Sequence, residues 1–193
     1  MADFAEAFRN TMLHEDRSMT GVVTNEPPIM AKDVDIASPT FGQQIVVQRP
    51  KARFGINSHA HPDAEIDGFY EMEKAAAIDY AKKVYRYDYW NKILGDSIED
   101  QNVANKFFDL AVNDGVKQAA RIIQRALCGI GRNVVVDGAP GPNTAAAINA
   151  SDPGMLLTAI RDYGRWFYAL IYERSPERYT KQEYKSWLDR LDA

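Results

Sequence analysis

The stretch NVANKFFDLAVNDGVKQAARIIQRALCGIG, residues 102–131, carries the plainest structural signal in the chain. Val103, Phe107 and Ala111 recur about one helical turn apart, so at about 3.6 residues per turn they share one face. Asp114-Gly115-Val116 breaks the pattern. Val116, Ala119, Ala120, Ile123 and Leu127 then restore it as far as Gly129 and Gly131, where glycine ends a helix without a Cβ penalty. Two consecutive amphipathic helices without heptads predict a mainly α body. Working outward, EMEKAAAIDYAKKVYRYDYWNKIL (71–94) is alanine-rich and predicts one long helix running to Gly95, with Ala75, Ile78, Val84 and Tyr85 on its apolar face. On the other side, NVVVDGAPGPNTAAAIN (133–149) reads as an extended piece, a tight Asp137-Gly138 and Gly141-Pro142 turn and a short helix. Ser151-Asp152-Pro153 and Ser175-Pro176-Glu177 each resemble a cap followed by a first-turn proline, which predicts two further helices.

The N-terminal third differs. FAEAFRNTMLHE (4–15) is a helix with Phe4, Phe8 and Met12 on one stripe, and Glu15 falls three turns beyond Phe4 almost in line with it. A carboxylate there points inward at a helix C-terminus, where lost hydration and the helix dipole both disfavour ionisation. A general acid needs that property; the alternative is an ion-pair partner of Arg17 or His14. Residues 16–70 read as irregular chain with short strands. Pro27-Pro28 stops any helix, and the β-rich runs FGQQIVVQRP (41–50) and ARFGIN (52–57) predict a small hairpin with Arg49-Pro50-Lys51 as its turn. The expected fold class is therefore mainly α (α+β), a helical bundle body with a small β-hairpin-containing segment near the N-terminus.

Composition narrows the function. The 193 residues are 46% apolar and 26% charged with a net charge of −4, and no run of Lys and Arg offers a nucleic-acid footprint. The one cysteine, Cys128, excludes an internal disulfide and reads as a small buried hydrophobe at a helix end. No apolar run reaches the ~20 residues that span a bilayer, and MADFAEAFRN has neither the basic nor the apolar region of a leader, so the expectation is synthesis in the cytoplasm without membrane insertion.

In order along the chain, FAEAFRNTMLHE, RFGIN, YRYDYWNKI, FFDLAVNDGVKQAARIIQRAL, DGAPGPNTAAAINA and YKSWLDRL resemble the glycoside hydrolase family 108 muramidases, lysozyme-like proteins and phage endolysins with a C-terminal peptidoglycan-binding region. The resemblance implies a lysozyme-like fold and a cofactor-free, metal-free peptidoglycan hydrolase that cleaves the β-1,4 bond between N-acetylmuramic acid and N-acetylglucosamine. Residues 1–98 would form the muramidase region and 99–193 a helical peptidoglycan-binding region packed with it. The family's His-Glu pair matches His14 and Glu15, which makes Glu15 the expected general acid. Asp16 and Arg17 stand where the family has two glycines, the family's Asp-Pro-Gly-Gly-Glu-Thr stretch is absent, and VTNEPP replaces an Asn-Asp-Pro. That last match makes Glu26 the preferred second catalytic group over Asp33 and Asp35, while a solvated loop position remains the other reading of it. Asn57, Tyr89, Trp90 and Asn113 match cleft residues that would bind substrate, although Asn57 also suits a turn cap and the aromatic pair also suits a core. The partners implied are peptidoglycan glycan strands, with a holin or packaging in a particle releasing the enzyme to the cell wall, and with no nucleic acid.

Two other readings compete. NSHAHPDAE (57–65) would set His59 and His61 on one face of a strand, with Asp63 and Glu65 nearby, as in a zinc peptidase. Alternatively, the scaffold is a catalytically inactive peptidoglycan-binding or structural protein, a reading favoured by the missing glycines and opposed by the retained Glu15.

Overall fold

The computed structural model describes residues 1–15, 19–27, 29–32, 39, 43–48 and 50–193. The chain divides into two compact units, one made of Met1–His14 with Val84–Ala193 and the other of Glu15–Lys83.

The first unit is helical. It holds most of α1 (Phe4–Glu15), then α4 (Gln101–Asp114), α5 (Val116–Gly129), α6 (Pro142–Asn149), α7 (Pro153–Arg174) and α8 (Lys181–Asp192). Of the stripes read from the sequence, Val103, Phe107 and Ala111 on α4 and Ala119, Ala120, Ile123 and Leu127 on α5 are buried, while Val116 at the start of α5 is half-buried. α5 packs on α4 and α7, and α7 also contacts α8. Asp100 and Asp152 cap α4 and α7 by accepting from the N–H groups of Val103 (2.9 Å) and Met155 (2.8 Å). The last helix departs from expectation. Ser175-Pro176-Glu177 lies in a turn, and α8 starts after Thr180, whose hydroxyl accepts from Glu183 N–H while the Glu183 carboxylate accepts from Thr180 N–H. This reciprocal capping box satisfies two end groups at once, which a single proline cap cannot do. The C-terminus of α8 is tied to α4 by buried charge. Asp109 accepts three hydrogen bonds from Arg190 at 2.9–3.1 Å, and Lys106 Nζ donates to the carbonyls of Leu191 (2.9 Å) and Arg190 (3.2 Å). Burial holds the Lys106 ammonium below the usual lysine range.

The expected long helix over 71–94 is shorter. α3 spans Lys74–Tyr85 and continues as a π-helical turn over Arg86–Trp90, closed by Asn91 N–H donating to Arg86 O at 2.9 Å. Its fully buried positions are Ala77, Ala81 and Tyr85, rather than Ala75, Ile78 and Val84. The wider turn shifts the phase of the helix, so that the next residue sealed after Tyr85 is Trp90, five positions on. Trp90 sits among Phe4, Phe8, Tyr85 and Phe108, with ring centroids 5.6–6.3 Å apart across the cluster, and its indole N–H donates to Asp96 Oδ1 at 2.8 Å. Cys128 is exposed, not buried, and its Sγ contacts Val134 O at 3.4 Å, because the α5 stripe turns away from the core one residue after Leu127.

The second unit carries the strands. β1 (Thr24–Asn25), β4 (Lys51–Arg53) and β5 (Ile56–Asn57) form an antiparallel sheet in the order β1-β4-β5, while β2 (Ile29–Lys32) and β3 (Gln44–Gln48) pair separately. The hairpin expected between 41–50 and 52–57 is therefore not the one formed: the second run folds on itself, Arg53 pairing with Ile56 across a two-residue Phe54-Gly55 turn. Both turn residues have positive φ, 49° and 74°, the geometry that matches strand twist in two-residue hairpins. α2 (Pro62–Ile66) and a 3₁₀ turn at Phe69–Glu71 lead into α3.

Phe54 holds its left-handed conformation because its ring is buried against Gly21, where a Cβ would lie 2.5 Å from Phe54 Cζ and where φ is itself +64°. Gly21→Ala is expected to lower the unfolding free energy by about 2 kcal/mol, combining the left-handed penalty with the clash. The shift would be read as a lower denaturation midpoint with an unchanged denaturant slope.

Candidate active site

Within the second unit, a cavity of about 460 Å³ is lined by Glu15, Thr20, Thr24, Glu26, Arg53 and Asn57, with Val22, Ala52, Phe54 and Gly55 completing its wall. Its size suits one or two sugar rings. Local structure places each polar group. Glu15 is the half-buried last residue of α1. Glu26 follows β1, where its N–H donates to Pro50 O (2.9 Å) and its Oε1 accepts from the Thr24 hydroxyl (3.3 Å). Asn57 ends β5, and its Oδ1 accepts from His59 N–H at 2.8 Å, an Asx turn that fixes the side chain.

Arg53 was not singled out by the sequence. It is only 7% exposed, with Nε donating to Gly21 O (2.8 Å) and Nη1 to Phe69 O (3.0 Å) and Met72 O (2.7 Å). One guanidinium thus ties together three backbone carbonyls behind the pocket, and it lies 5.7 Å and 5.9 Å from the centres of the Phe54 and Phe69 rings. The detectable signal is an arginine at an inward strand position directly before a Phe-Gly turn.

Glu15, Glu26 and Asn57 are brought into one cavity; Tyr89, Trp90 and Asn113 belong to the helical unit and none of them lines it. Trp90 is 0% exposed, which leaves no indole face for a sugar and makes it a core residue. Tyr89 is half-buried with its ring 5.6 Å from that of Tyr85. Asp33 and Asp35, like Asp16 and Arg17, lie outside the described residues. The helical unit has a cavity of comparable size, about 490 Å³, but Asp109 is the sole carboxylate side chain among its lining residues and Arg190 already holds it. Of these two cavities, the one at Glu15 is therefore the one with paired carboxylates.

The zinc reading rested on His59 and His61 sharing a strand face. Both follow β5: residues 58–60 form a turn and His61 precedes α2. Among the described residues, no group of three or more His, Cys, Asp or Glu is placed to hold a metal ion.

Asn113 closes a different cluster. Its Nδ2 donates to Asp114 Oδ1 (2.9 Å) and to Tyr168 Oη (3.0 Å), and Tyr168 Oη donates to Asp114 Oδ2 (2.9 Å). Burial, only partly offset by these hydrogen bonds, pushes the Asp114 carboxyl up from 3.8 to about 6, and burial beside Asp114 raises Tyr168 as well. The folded chain therefore holds a proton on Asp114 that the unfolded chain has lost, so the contribution is present below about pH 4 and disappears as pH rises through 6. Wild type should lose on the order of 2 kcal/mol relative to Asp114→Asn across that window. Melting temperatures of the two proteins against pH test the sign: the wild type falls relative to the variant as pH rises.

The fold is of the lysozyme-like class, a mainly helical protein with a small β-containing segment, and among solved structures it is similar to that of Brucella abortus SagA. The two share 20% identity over 98% of this chain and 94% of that one, with a TM-score of 0.55. Residues 50–115 match the family model described as Glycosyl hydrolase 108, and residues 118–192 the one described as Predicted Peptidoglycan domain. The two matches set a glycosyl hydrolase 108 region ahead of a predicted peptidoglycan domain, a pairing that supports peptidoglycan hydrolysis in general terms. Comparison with curated proteins finds no match. The first family match covers Arg53 and Asn57, while Glu15 and Glu26 precede it.

Proposed function

We propose that the chain is an N-acetylmuramidase that hydrolyses the β-1,4 bond between N-acetylmuramic acid and N-acetylglucosamine, with Glu15 as general acid. The observation that carries this reading is that Glu15 and Glu26 line one polar cavity of about 460 Å³. Glu15 gives its proton to the glycosidic oxygen, which leaves as the 4-hydroxyl of N-acetylglucosamine while the C1–O bond breaks. Water attacks C1 of N-acetylmuramic acid, and Glu26, oriented by the Thr24 hydroxyl, takes the proton that water releases. One bond is broken and one water consumed, with no redox partner. Asn57 offers an amide beside the two carboxylates for the acetamido or hydroxyl groups of the sugar. Residues 1–98 carry the chemistry in this reading and 99–193 hold the wall.

The substrate lies in the bacterial wall, and a holin or packaging in a particle would take the enzyme there. Among the described residues, no helix is long and apolar enough to cross a membrane. The test is incubation of purified sacculi with the chain in EDTA, followed by mass spectrometry of the soluble fragments. New reducing ends on muramic acid are expected. New ends on glucosamine would reassign the bond, and co-sedimentation without fragments would make the chain a wall-binding protein instead.

A further inference from the structure

The chain has three tryptophans, and the structure uses them differently. Trp90 is sealed in the core and Trp187 is half-buried against Tyr168 and Tyr179, but Trp166 on α7 leaves 50% of its surface in water. It does not stand alone. Tyr163, one turn earlier on α7, Asp162 beside it and Arg125 from α5 line with Trp166 an open pocket of about 330 Å³, and the Arg125 guanidinium lies 5.5 Å from the centre of the Trp166 ring system. A Cβ on Gly129 would come within 3.0 Å of the Tyr163 ring, so the glycine at the end of α5 makes room for that ring.

The charges are arranged for a ligand. Asp162 is engaged by Arg165 at 3.1 Å, one turn along the same helix, whereas no carboxylate among the described residues lies within ion-pair distance of Arg125. Arg125 is thus positioned by the indole face and keeps its planar donor fork for an incoming acceptor. An accessible indole suits the axial C–H face of a pyranose ring, and an arginine fork beside it suits a carboxylate or an acetamido carbonyl. N-acetylmuramic acid presents all three. All four residues fall within 118–192, the part of the chain that matches a predicted peptidoglycan domain, and none lines the cavity at Glu15.

We propose that the pocket at Trp166 and Arg125 is a glycan-docking site that binds an N-acetylmuramic acid unit of the peptidoglycan strand, separate from the site of hydrolysis. The proposal rests on the reading of peptidoglycan as substrate but not on Glu15 as its acid. A muramyl ring lies on the indole, Arg125 donates to its lactyl carbonyl oxygen, a carboxylate on bare glycan and an amide where a stem peptide is attached, and the Tyr163 hydroxyl meets a sugar hydroxyl.

The experiment measures binding of the full chain in two ways, by co-sedimentation with protein-free sacculi and by intrinsic fluorescence on titration with a soluble tetrasaccharide of alternating N-acetylglucosamine and N-acetylmuramic acid. Trp166→Ala should weaken both by about tenfold at an unchanged melting temperature, since it removes one stacking surface and no core. Trp166→Phe should retain most of the affinity while losing the fluorescence response, which a merely structural role would not produce. Arg125→Gln should weaken binding of the muramyl oligosaccharide more than that of a chitin oligosaccharide of equal length, which lacks the carboxylate. Unchanged binding by Trp166→Ala overturns the proposal, as does binding that requires wall protein left on the sacculi, which would point to a protein partner. If the chain fails to hydrolyse sacculi yet loses binding on Trp166→Ala, the muramidase reading falls and this one stands. If hydrolysis depends on Glu15 while Trp166→Ala binds normally, the reverse holds.

Discussion

Glu15→Gln should reduce the rate of fragment release from sacculi by about 10²–10⁴-fold, the range that a positioned proton donor contributes to bond cleavage. Glutamine keeps the volume and one acceptor of the side chain but has no acidic proton to give. The residue is half-buried at the end of α1, so the isosteric change leaves its surroundings in place and the melting temperature close to that of the wild type. Binding to sacculi should survive, because the substitution removes an interaction made in the transition state rather than one made with bound substrate. A rate within tenfold of the wild type would remove Glu15 from the chemistry and return it to the ion-pair role. Glu26→Gln is the natural companion measurement. A comparable loss assigns it the water, and a small one leaves that task to another group.

The largest effect on stability should come from Trp90→Ala, at about 3–5 kcal/mol, because an indole with no exposed surface leaves a cavity that its neighbours cannot close. The ring also organises its surroundings. Its N–H donates to Asp96 Oδ1, Asp96 Oδ2 accepts from Arg86, and Gly95 lies so near that a Cβ there would come within 2.3 Å of the indole. Truncation would therefore remove the partner of a carboxylate as well as the filling of a core. A sugar-binding tryptophan predicts the opposite pattern, a raised KM with an unchanged melting temperature. Denaturation and kinetics on the same variant separate the two roles, and the structure sides with a fall in melting temperature and an unaltered KM for the folded fraction.

Trp90 also shows where sequence reading loses its hold. Periodicity located α4 and α5 because their apolar residues follow the α-helical repeat and are buried in that order. It missed the buried face of α3, where Ala77 and Ala81 are sealed in place of Ala75, Ile78 and Val84, and it gave no sign of the π-helical turn at Arg86–Trp90, whose i+5 step after Tyr85 seals Trp90 rather than Tyr89. The start of α8 was legible in principle, since Thr180 and Glu183 have the spacing of a capping box; the nearby Ser-Pro-Glu offered a competing signal of the same kind. Strand pairing was harder. The hairpin depends on Phe54 adopting positive φ, a conformation that bulky side chains rarely enter and that is upheld here by contact with Gly21, more than thirty positions earlier. Of the site, Glu15, Glu26 and Asn57 were named from the sequence and meet in one cavity, whereas Arg53 escaped notice because its partners are backbone carbonyls, which no side-chain pattern reveals.

The helical unit is assembled from both ends of the chain, Met1–His14 and Val84–Ala193, with Glu15–Lys83 set between them. Ala2 N–H donates to Ile98 O, Asp3 N–H to the Gln101 side chain, and Phe4 packs against Phe108. During synthesis α1 therefore leaves the ribosome with Phe8 and Met12 uncovered and must wait for the whole of 15–83 before the helices that bury them emerge. The same wiring makes the chain indivisible by scissors at residue 98, since each fragment would lack half of one hydrophobic core. The stretch 15–83, which enters and leaves at α1 and α3, is instead the natural cassette for exchange between relatives.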